Sequence, residues 1–292
     1  MWGLFPLYFM ALMPANPFEV VSFRVIVSLA FGCLLITVLK QWGQIRDALR
    51  NTRVMLTLAL AAVLIFINWE VFILAVYANQ VIETALGYFI NPLITVMLGI
   101  FFFGERLRAL QWVAVGFGLV SVIVMTVAVG QPPWIALTLA ATFGLYGLVK
   151  KKAGAHVGAI PGLAIETAWV FPVAIVQLIV VSVMGQLDLF SLGATHAILI
   201  IFSGVLTALP LMLFASGTKR IPLSWIGLIQ YLSPFASFLL GIFVFHEEMP
   251  LSRWIGFGLI WLAIVLLTID VFRARGRSRS RLLEAEETAI GG

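Results

Sequence analysis

Charged residues are scarce in this chain of 292 residues. Asp, Glu, Lys and Arg make up 11% of it, whereas 62% is hydrophobic. Soluble domains carry about a quarter charged residues, so this composition leaves too little charge to cover a water-facing surface. Apolar segments of membrane-spanning length recur along the whole chain, and they predict a polytopic membrane protein. Cys33 is the only cysteine, which excludes an internal disulfide.

The sequence also lacks the motifs of enzymes and of cofactor-binding proteins. It contains no nucleophile elbow, no phosphate-binding glycine loop and no carboxylate dyad. Its three histidines are too far apart in the sequence to suggest a metal set. We therefore expect no enzymatic activity, no cofactor and no bound metal. The net charge of +5 comes from short loops between apolar segments, so we expect no nucleic-acid partner.

Ten apolar segments are predicted to be transmembrane helices, because lipid offers the backbone no hydrogen-bond partner and no barrel pattern is present. They cover residues 1–13, 18–39, 54–77, 84–103, 108–129, 133–149, 161–183, 195–217, 223–245 and 251–272. The first segment is shorter than the roughly 17–25 residues that cross a bilayer. It aligns with the sixth at a spacing of 141, which pairs Gly3 with Gly144. We expect either that the true start lies upstream of Met1 or that the first helix is incomplete.

Positive residues lie almost entirely on one side of the predicted helices. Of the 18 Lys and Arg, 16 lie on one side, Arg253 lies at the other side, and Arg24 lies within the second predicted helix. By the positive-inside rule, both termini face the cytoplasm. Residues 273–292 are expected to form a charged cytoplasmic tail.

The sequence contains an internal repeat with a spacing of 142 residues. Residues 86–116 match residues 228–258 at ten of 31 ungapped positions. Each half, 1–130 and 131–272, holds five predicted helices, so the second half enters the membrane from the opposite side. The predicted fold is therefore all-α, with ten transmembrane helices as two inverted five-helix repeats. This plan is typical of secondary transporters, whose binding site lies near the midplane between the halves.

Several strings of the sequence carry a resemblance to a known family. They are Glu83-Thr84-Ala85-Leu86-Gly87-Tyr88-Phe89-Ile90-Asn91-Pro92-Leu93, Gly104-Glu105-Arg106, Phe143-Gly144-Leu145-Tyr146-Gly147-Leu148-Val149, Ile165-Glu166-Thr167 and Gln230-Tyr231. They resemble the RarD group of EamA-type drug/metabolite transporters, nearly from end to end. The resemblance implies two EamA-type five-helix repeats, a place in the bacterial cytoplasmic membrane, and export of small metabolites or drugs. The sequence departs from the group at its short first helix and at Glu70, where an apolar residue is expected.

Arg24, Glu70 and Glu166 are the ionisable residues that we place inside predicted helices. A charge at the bilayer centre costs roughly 2.5–3.5 kcal/mol on insertion scales, so these side chains should face the bundle interior. Arg24 and Glu70 lie at similar depths, about 10 Å below the outer surface, and are expected to form a pair. Glu166 follows Arg24 by 142 positions, which places it at a similar depth from the cytoplasmic side. We hypothesise two substrate half-sites of opposite sign; the alternative is a structural ion pair and a Glu166 that snorkels to the interface.

Two prolines mark a second group of candidates. Pro92 and Pro234 lie near the middle of predicted helices, where a proline frees the carbonyl four residues earlier and can act as a gating kink. The candidate substrate-binding residues beside them are Tyr88, Asn91, Gln230 and Tyr231. The alternative is a kink that only shapes packing, with the carbonyl satisfied by neighbouring groups.

Five further residues have structural roles that compete with a role in substrate binding. Asn68, Trp69 and Tyr146 are weaker binding candidates, because aromatic residues in membrane helices more often serve packing or interface anchoring. Glu105 and Glu247 each precede a predicted helix. We expect their carboxylates to stabilise the positive end of that helix rather than to bind substrate.

The sequence therefore predicts a secondary transporter that exports a small amphipathic or zwitterionic metabolite, or a drug, by alternating access. Coupling to protons through Glu166 or Glu70, exchange and facilitated diffusion all stay open. The alternatives are a lipid or lipid-linked flippase, and a non-transporting membrane enzyme or assembly partner. The expected partners are a small-molecule substrate and the lipid bilayer; the sequence specifies neither the substrate nor the oligomeric state.

Overall fold

A computed structural model describes residues 1–103, 107–153, 157–189, 191–218 and 230–290, and these residues form helices joined by turns and short loops. A 3-10 turn at Trp2–Leu4 precedes the first helix. The helices are α1 Phe5–Met10, α2 Pro17–Val38, α3 Trp42–Leu49, α4 Thr52–Tyr77, α5 Val81–Phe103, α6 Ala109–Val129, α7 Trp134–Ala153, α8 Ala159–Val183, α9 Ala194–Thr218, α10 Leu232–Phe243 and α11 Leu251–Ile290.

Six of these helices are long and apolar enough to cross a membrane. They are α2, α4, α5, α6, α8 and the Leu251–Asp270 part of α11. Shorter apolar helices occupy Trp134–Lys150, Ala194–Pro210 and Leu232–Phe243. The prediction of an all-helical polytopic membrane protein is confirmed. The count of ten spans stays a prediction, since part of the ninth segment, 223–245, lies outside the described residues.

Capping residues explain where the second helix begins after a short first helix. The first predicted helix is short in the structure, where α1 has six residues. The next helix begins at Pro17, after Asn16 accepts a hydrogen bond from the Phe18 amide at 3.0 Å. Asparagine as the capping residue and proline at the first helical position both favour a helix start, because the first amides have no partner inside the helix.

The described chain divides into two compact units. One unit comprises Met1–Asn91 and Trp134–Glu248, and the other comprises Pro92–Pro133 and Met249–Gly292. Each unit therefore draws on both halves of the sequence. In the first unit, α2 packs against α8 and α9, and α4 packs against α7 and α8. In the second unit, α6 packs against α11.

Small residues allow α2 to lie close to its neighbours. A Cβ at Gly204 of α9 would lie 2.6 Å from the Ser28 amide nitrogen and 2.6 Å from the Val27 Cβ. Ser28 Oγ donates a hydrogen bond to the Gly204 carbonyl at 3.1 Å. Helices in membranes associate through such contacts, since lipid provides little hydrophobic drive for helix association.

Glu247 has a different role from the one predicted. Its carboxylate accepts hydrogen bonds from the amides of Val81 at 2.5 Å and Ile82 at 3.1 Å. It therefore caps the first turn of α5, although it was expected to serve the helix that follows it in the sequence. The physical reason is the same, because a carboxylate stabilises exposed amides at any helix start that it reaches. Glu105 lies outside the described residues.

The two repeat-related prolines occupy different positions in their helices. Pro92 lies inside α5, as predicted. Pro234 lies in the first turn of α10, which begins at Leu232 after a turn at Tyr231. Residue 230 is also helical, and residues 219–229 lie outside the described part of the chain, so the gating kink at Pro234 stays a prediction. A first-turn amide has no carbonyl partner within a helix, so a proline removes nothing there.

The end of the chain also differs from the prediction. The last predicted helix stops at residue 272, but α11 continues to Ile290. The charged segment 273–292 therefore extends the last helix through residue 290.

Candidate functional site around Arg24

Arg24 is the most unusual side chain in the described interior. It lies on α2 and is only 4% exposed. Its Nε donates a hydrogen bond to Thr207 Oγ1 on α9 at 2.6 Å. The guanidinium carbon lies 4.4 Å from the Trp69 ring centroid. Two further rings lie near it, Phe9 at 5.4 Å and Phe5 at 5.8 Å.

No carboxylate neutralises Arg24 within the part of the chain that the structure describes. The two described ion pairs, Arg108–Asp270 and Lys150–Glu166, do not involve it. Its Nη1 is buried and has no hydrogen-bond partner among the described residues. A cation over an aromatic ring gains about 0.5–2 kcal/mol. Removing an ion from water costs several kcal/mol. The three rings therefore offset part of this cost, but they supply no counter-charge and leave Nη1 without a hydrogen-bond partner among the described residues, which argues against a purely structural role.

The predicted ion pair between Arg24 and Glu70 is not formed. Glu70 Oε1 instead accepts a hydrogen bond from Gln177 Nε2 on α8 at 2.6 Å. Gln177 Oε1 in turn accepts one from Ser22 Oγ at 3.1 Å. Arg24 and Glu70 were matched by depth alone, and the structure turns them toward different helices. The other oxygen of Glu70, Oε2, is buried without a hydrogen-bond partner among the described residues.

A polar network between α4, α5 and α7 involves two predicted candidates, Asn68 and Tyr88. Tyr88 donates from its hydroxyl to Asn68 Oδ1 at 3.0 Å. Asn68 Nδ2 donates to Thr142 Oγ1 at 3.0 Å and to the Leu139 carbonyl at 3.2 Å. Tyr88 also lies within electrostatic range of Arg24, as does Tyr8. The hydroxyl of Tyr88 thus has a clear role, whereas its carbonyl was the group predicted to bind.

Glu166 lies in a second polar cluster, at the junction of α7 and α8. Its carboxylate is fully buried and forms an ion pair with Lys150. Tyr146 donates a hydrogen bond to Glu166 Oε2 at 3.1 Å. Tyr146 and Lys150 are four residues apart, so they share a face of α7. This burial excludes the alternative in which Glu166 snorkels to the interface.

Three further candidates, Asn91, Gln230 and Tyr231, are not among the described partners of Arg24 and Glu166. Asn91 is half-buried on α5 beside Pro92. Gln230 is exposed and Tyr231 is half-buried, both just before α10. The groups that contact Arg24 do not include any of these three side chains.

Several site residues were not anticipated. Thr207, Gln177 and Lys150 supply the hydrogen bonds of Arg24, Glu70 and Glu166. The i, i+4 spacing of Tyr146 and Lys150 was a usable signal, but a threonine or glutamine in an apolar helix carries none. Glu19 was also missed. It is fully buried, and its Oε2 accepts a hydrogen bond from the Asp188 amide at 2.8 Å.

The described side chains offer no site for a metal ion. No group of three or more His, Cys, Asp or Glu residues among them could hold one. The chemistry of the Arg24 site is that of a binding site, with one fixed positive charge, aromatic surfaces and neutral hydrogen-bonding groups.

Comparison with known proteins gives the family. The EamA-like transporter family matches residues 1–127 and again 133–269. "Protein RarD" of Streptomyces exfoliatus is 44% identical over 290 residues, which cover 99% of this chain and 91% of the relative. "Uncharacterized transporter YojE" of Bacillus subtilis (strain 168) is 40% identical and covers 96% and 94%. "Protein RarD" of Escherichia coli (strain K12) is 35% identical and covers 95% and 93%.

A solved structure described only as "Crystal structure of protein" shares the fold. Its TM-score is 0.58 with 16% identity, covering 92% of this chain and 93% of that one. The family and the names of the relatives point to transport rather than to enzymatic activity. The apolar helices and the bacterial relatives indicate a multi-pass bacterial membrane protein. The chain belongs to the EamA-like transporter family and, within it, to the RarD group.

Proposed function

We propose that this chain is a secondary carrier that exports a small metabolite or drug across the cytoplasmic membrane by alternating access. Its ten helices form two inverted five-helix halves, 1–130 and 131–272, with both termini in the cytoplasm. The spacing of 142 between the halves and the one-sided distribution of Lys and Arg support this arrangement.

The burial of Arg24 is the observation that carries the proposal. A positive charge buried without a carboxylate in the described interior is costly, and such groups in membrane proteins mark substrate or ion pathways. Trp69 and Thr207 hold the guanidinium in place from α4 and α9. These helices and α2 belong to one unit of the fold. The site is therefore preformed and needs only access from one face at a time.

The Lys150–Glu166 pair is proposed to close the cytoplasmic side. Glu166 lies seven residues beyond the start of α8 at Ala159, which is about 10 Å along the helix. Arg24 lies seven residues beyond the start of α2 at Pro17. In inverted halves, these equal depths are measured from opposite faces. Opening toward the cytoplasm would then require the pair to separate, whereas opening outward would leave it intact.

Charge movement in proteoliposomes adsorbed on a solid-supported membrane tests the proposal. Amino acids, amines, cationic drugs and carboxylates would be applied with and without a pH step. Arg24→Gln removes the buried charge, and Arg46→Gln, at an exposed position on α3, is the matched control. The pH step also reports whether protons move with the substrate.

We expect a substrate-specific current that Arg24→Gln abolishes and Arg46→Gln preserves. Electroneutral exchange would give no current, so uptake of the same labelled compounds into preloaded vesicles is measured in parallel. If both assays are silent for every compound in the unmodified protein, the carrier proposal is wrong. The flippase alternative would then be examined with labelled lipids.

A further inference from the structure

We infer that the substrate of this carrier bears a carboxylate and that Arg24 is the residue that binds it. The inference rests on the proposed function and narrows it to small organic anions with an apolar body. The two equivalent positions of the repeat, Arg24 and Glu166, differ in how their charges are neutralised.

Arg24 and Glu166 occupy equivalent positions, 142 residues apart. Their surroundings are also equivalent, since Phe5 and Phe9 lie 141 positions before Tyr146 and Lys150, the spacing that aligns the first and sixth segments. In the second half, the residue at the later of these positions is Lys150, which neutralises Glu166.

In the first half, the corresponding position holds Phe9, which presents a ring to Arg24 at 5.4 Å. The charge of Glu166 is satisfied within the protein, whereas the charge of Arg24 has no ionic partner among the residues that the structure describes. The missing partner of a guanidinium is an anion.

The geometry around Arg24 favours a planar anion. Trp69 lies 4.4 Å from the guanidinium carbon and Thr207 holds Nε, while Nη1 has no hydrogen-bond partner among the described residues. Guanidinium N–H groups form a planar fork that matches a carboxylate. The binding edge of Arg24 is therefore the edge that carries Nη1.

The neighbouring side chains favour an apolar body for this anion. Phe5, Phe9 and Trp69 provide ring surfaces, and the hydroxyls of Tyr8 and Tyr88 already donate to Leu199 and Asn68. Glu70 does not cancel the charge of Arg24, because its carboxylate bonds to Gln177. A cation would be repelled by Arg24, and a neutral solute would leave its charge unpaired.

Matched acids and amides test the inference on the purified full-length protein. The probes are benzoate, phenylacetate, hydrocinnamate and octanoate, each beside the amide of the same carbon skeleton. The apparent Tm is measured over a concentration series, since a ligand at free concentration L that binds the folded state stabilises it by RT ln(1 + L/Kd) and so raises the Tm more when it binds more tightly. The variants are Arg24→Gln and Arg24→Lys, with Arg46→Gln as the control for removing an exposed charge.

We expect at least one acid to bind the unmodified protein about tenfold or more tightly than its amide, as a charge-assisted contact requires. Arg24→Gln should abolish this preference, Arg24→Lys should retain part of it, and Arg46→Gln should leave it unchanged. The inference is overturned if amides bind as well as acids, if the preference survives in Arg24→Gln, or if no acid shifts the Tm.

The two proposals fail in distinguishable ways. Transport of amines or neutral drugs without any response to acids would overturn the inference that the substrate bears a carboxylate, and it would support the proposal that the protein is a carrier. Acid binding at Arg24 in a protein that moves none of the compounds would overturn the carrier and leave an anion-binding membrane protein.

Discussion

Lys150 on α7 forms an ion pair with the fully buried carboxylate of Glu166 on α8. This pair joins two helices whose equivalents in the first half are α1, which carries Phe5 and Phe9, and α2, which carries Arg24. Glu166 is thus a buried charge that the protein neutralises, whereas Arg24 is a buried charge without a carboxylate partner among the described residues. The two residues should therefore respond differently to the removal of their charge.

Breaking the Lys150–Glu166 pair should destabilise the protein, and removing both charges should be less harmful than the sum of the single changes. Lys150→Met leaves a fully buried carboxylate whose one remaining partner among the described residues is Tyr146. We expect a coupling energy of about 1–3 kcal/mol between Lys150→Met and Glu166→Gln. The measurement is a double-mutant cycle on unfolding in detergent. Asp47→Asn, at an exposed position, is the control, and additive effects of the two changes would contradict the pair's proposed importance.

Arg24→Gln should not destabilise the protein, in contrast to Lys150→Met. Because no described carboxylate depends on Arg24, its removal abolishes a desolvation cost without stranding a partner. We expect the empty variant to have an apparent Tm equal to or above that of the unmodified protein. A clearly lower Tm would mean that Arg24 stabilises the fold and was not retained for binding.

Replacement of Glu247 by Ala should weaken the start of α5. Its carboxylate accepts hydrogen bonds from the amides of Val81 and Ile82, and loss of such a cap costs about 1–2 kcal/mol. Glu248→Ala removes the adjacent, exposed carboxylate and is the matched control. Hydrogen exchange at residues 81–84 should rise in Glu247→Ala and not in Glu248→Ala; equal exchange in the two variants would contradict the capping role.

Gly204→Ala should disturb the contact between α2 and α9. Its Cβ would lie 2.6 Å from the Ser28 amide nitrogen, so one of the two helices must shift. Overpacking of this kind costs about 1–3 kcal/mol. A Cβ at Gly147 of α7 meets nothing within 4 Å, so Gly147→Ala should be neutral or slightly stabilising. Thermal unfolding of the two variants compares them directly, and equal Tm values would mean that the close contact is dispensable.

Most helices of the fold could be predicted from the sequence. The second segment was predicted at 18–39 and is found at Pro17–Val38, because a long apolar run and the Asn16-Pro17 start fix both ends. Irregular ends were harder. The amphipathic helix α3 is not predicted from the sequence, since it is too short and too polar to resemble a membrane-spanning segment.

The candidate site could be predicted from the sequence only in part. A lone arginine in an apolar helix identified Arg24, since a charge within a membrane helix is costly and therefore uncommon unless it has a function. The partners of Arg24 could not be predicted, because counting residues gives the depth of a residue along a helix but not the direction in which its side chain points. The same limit led to the expected Arg24–Glu70 pair, whereas the structure turns these side chains to Thr207 and Gln177.

Thiol labelling from each face of the membrane tests alternating access at the Arg24 site most directly, and it needs no knowledge of the substrate. Cys33→Ser removes the only cysteine, and Thr207→Cys then places one thiol beside Arg24, at a position that is 3% exposed. Ala114→Cys, at a fully buried position on α6, is the control. A membrane-impermeant maleimide is applied to vesicles of either orientation. The account predicts that the thiol at position 207 reacts from both faces while that at position 114 reacts from neither. A thiol at position 207 that reacts from one face only, or not at all, would contradict it.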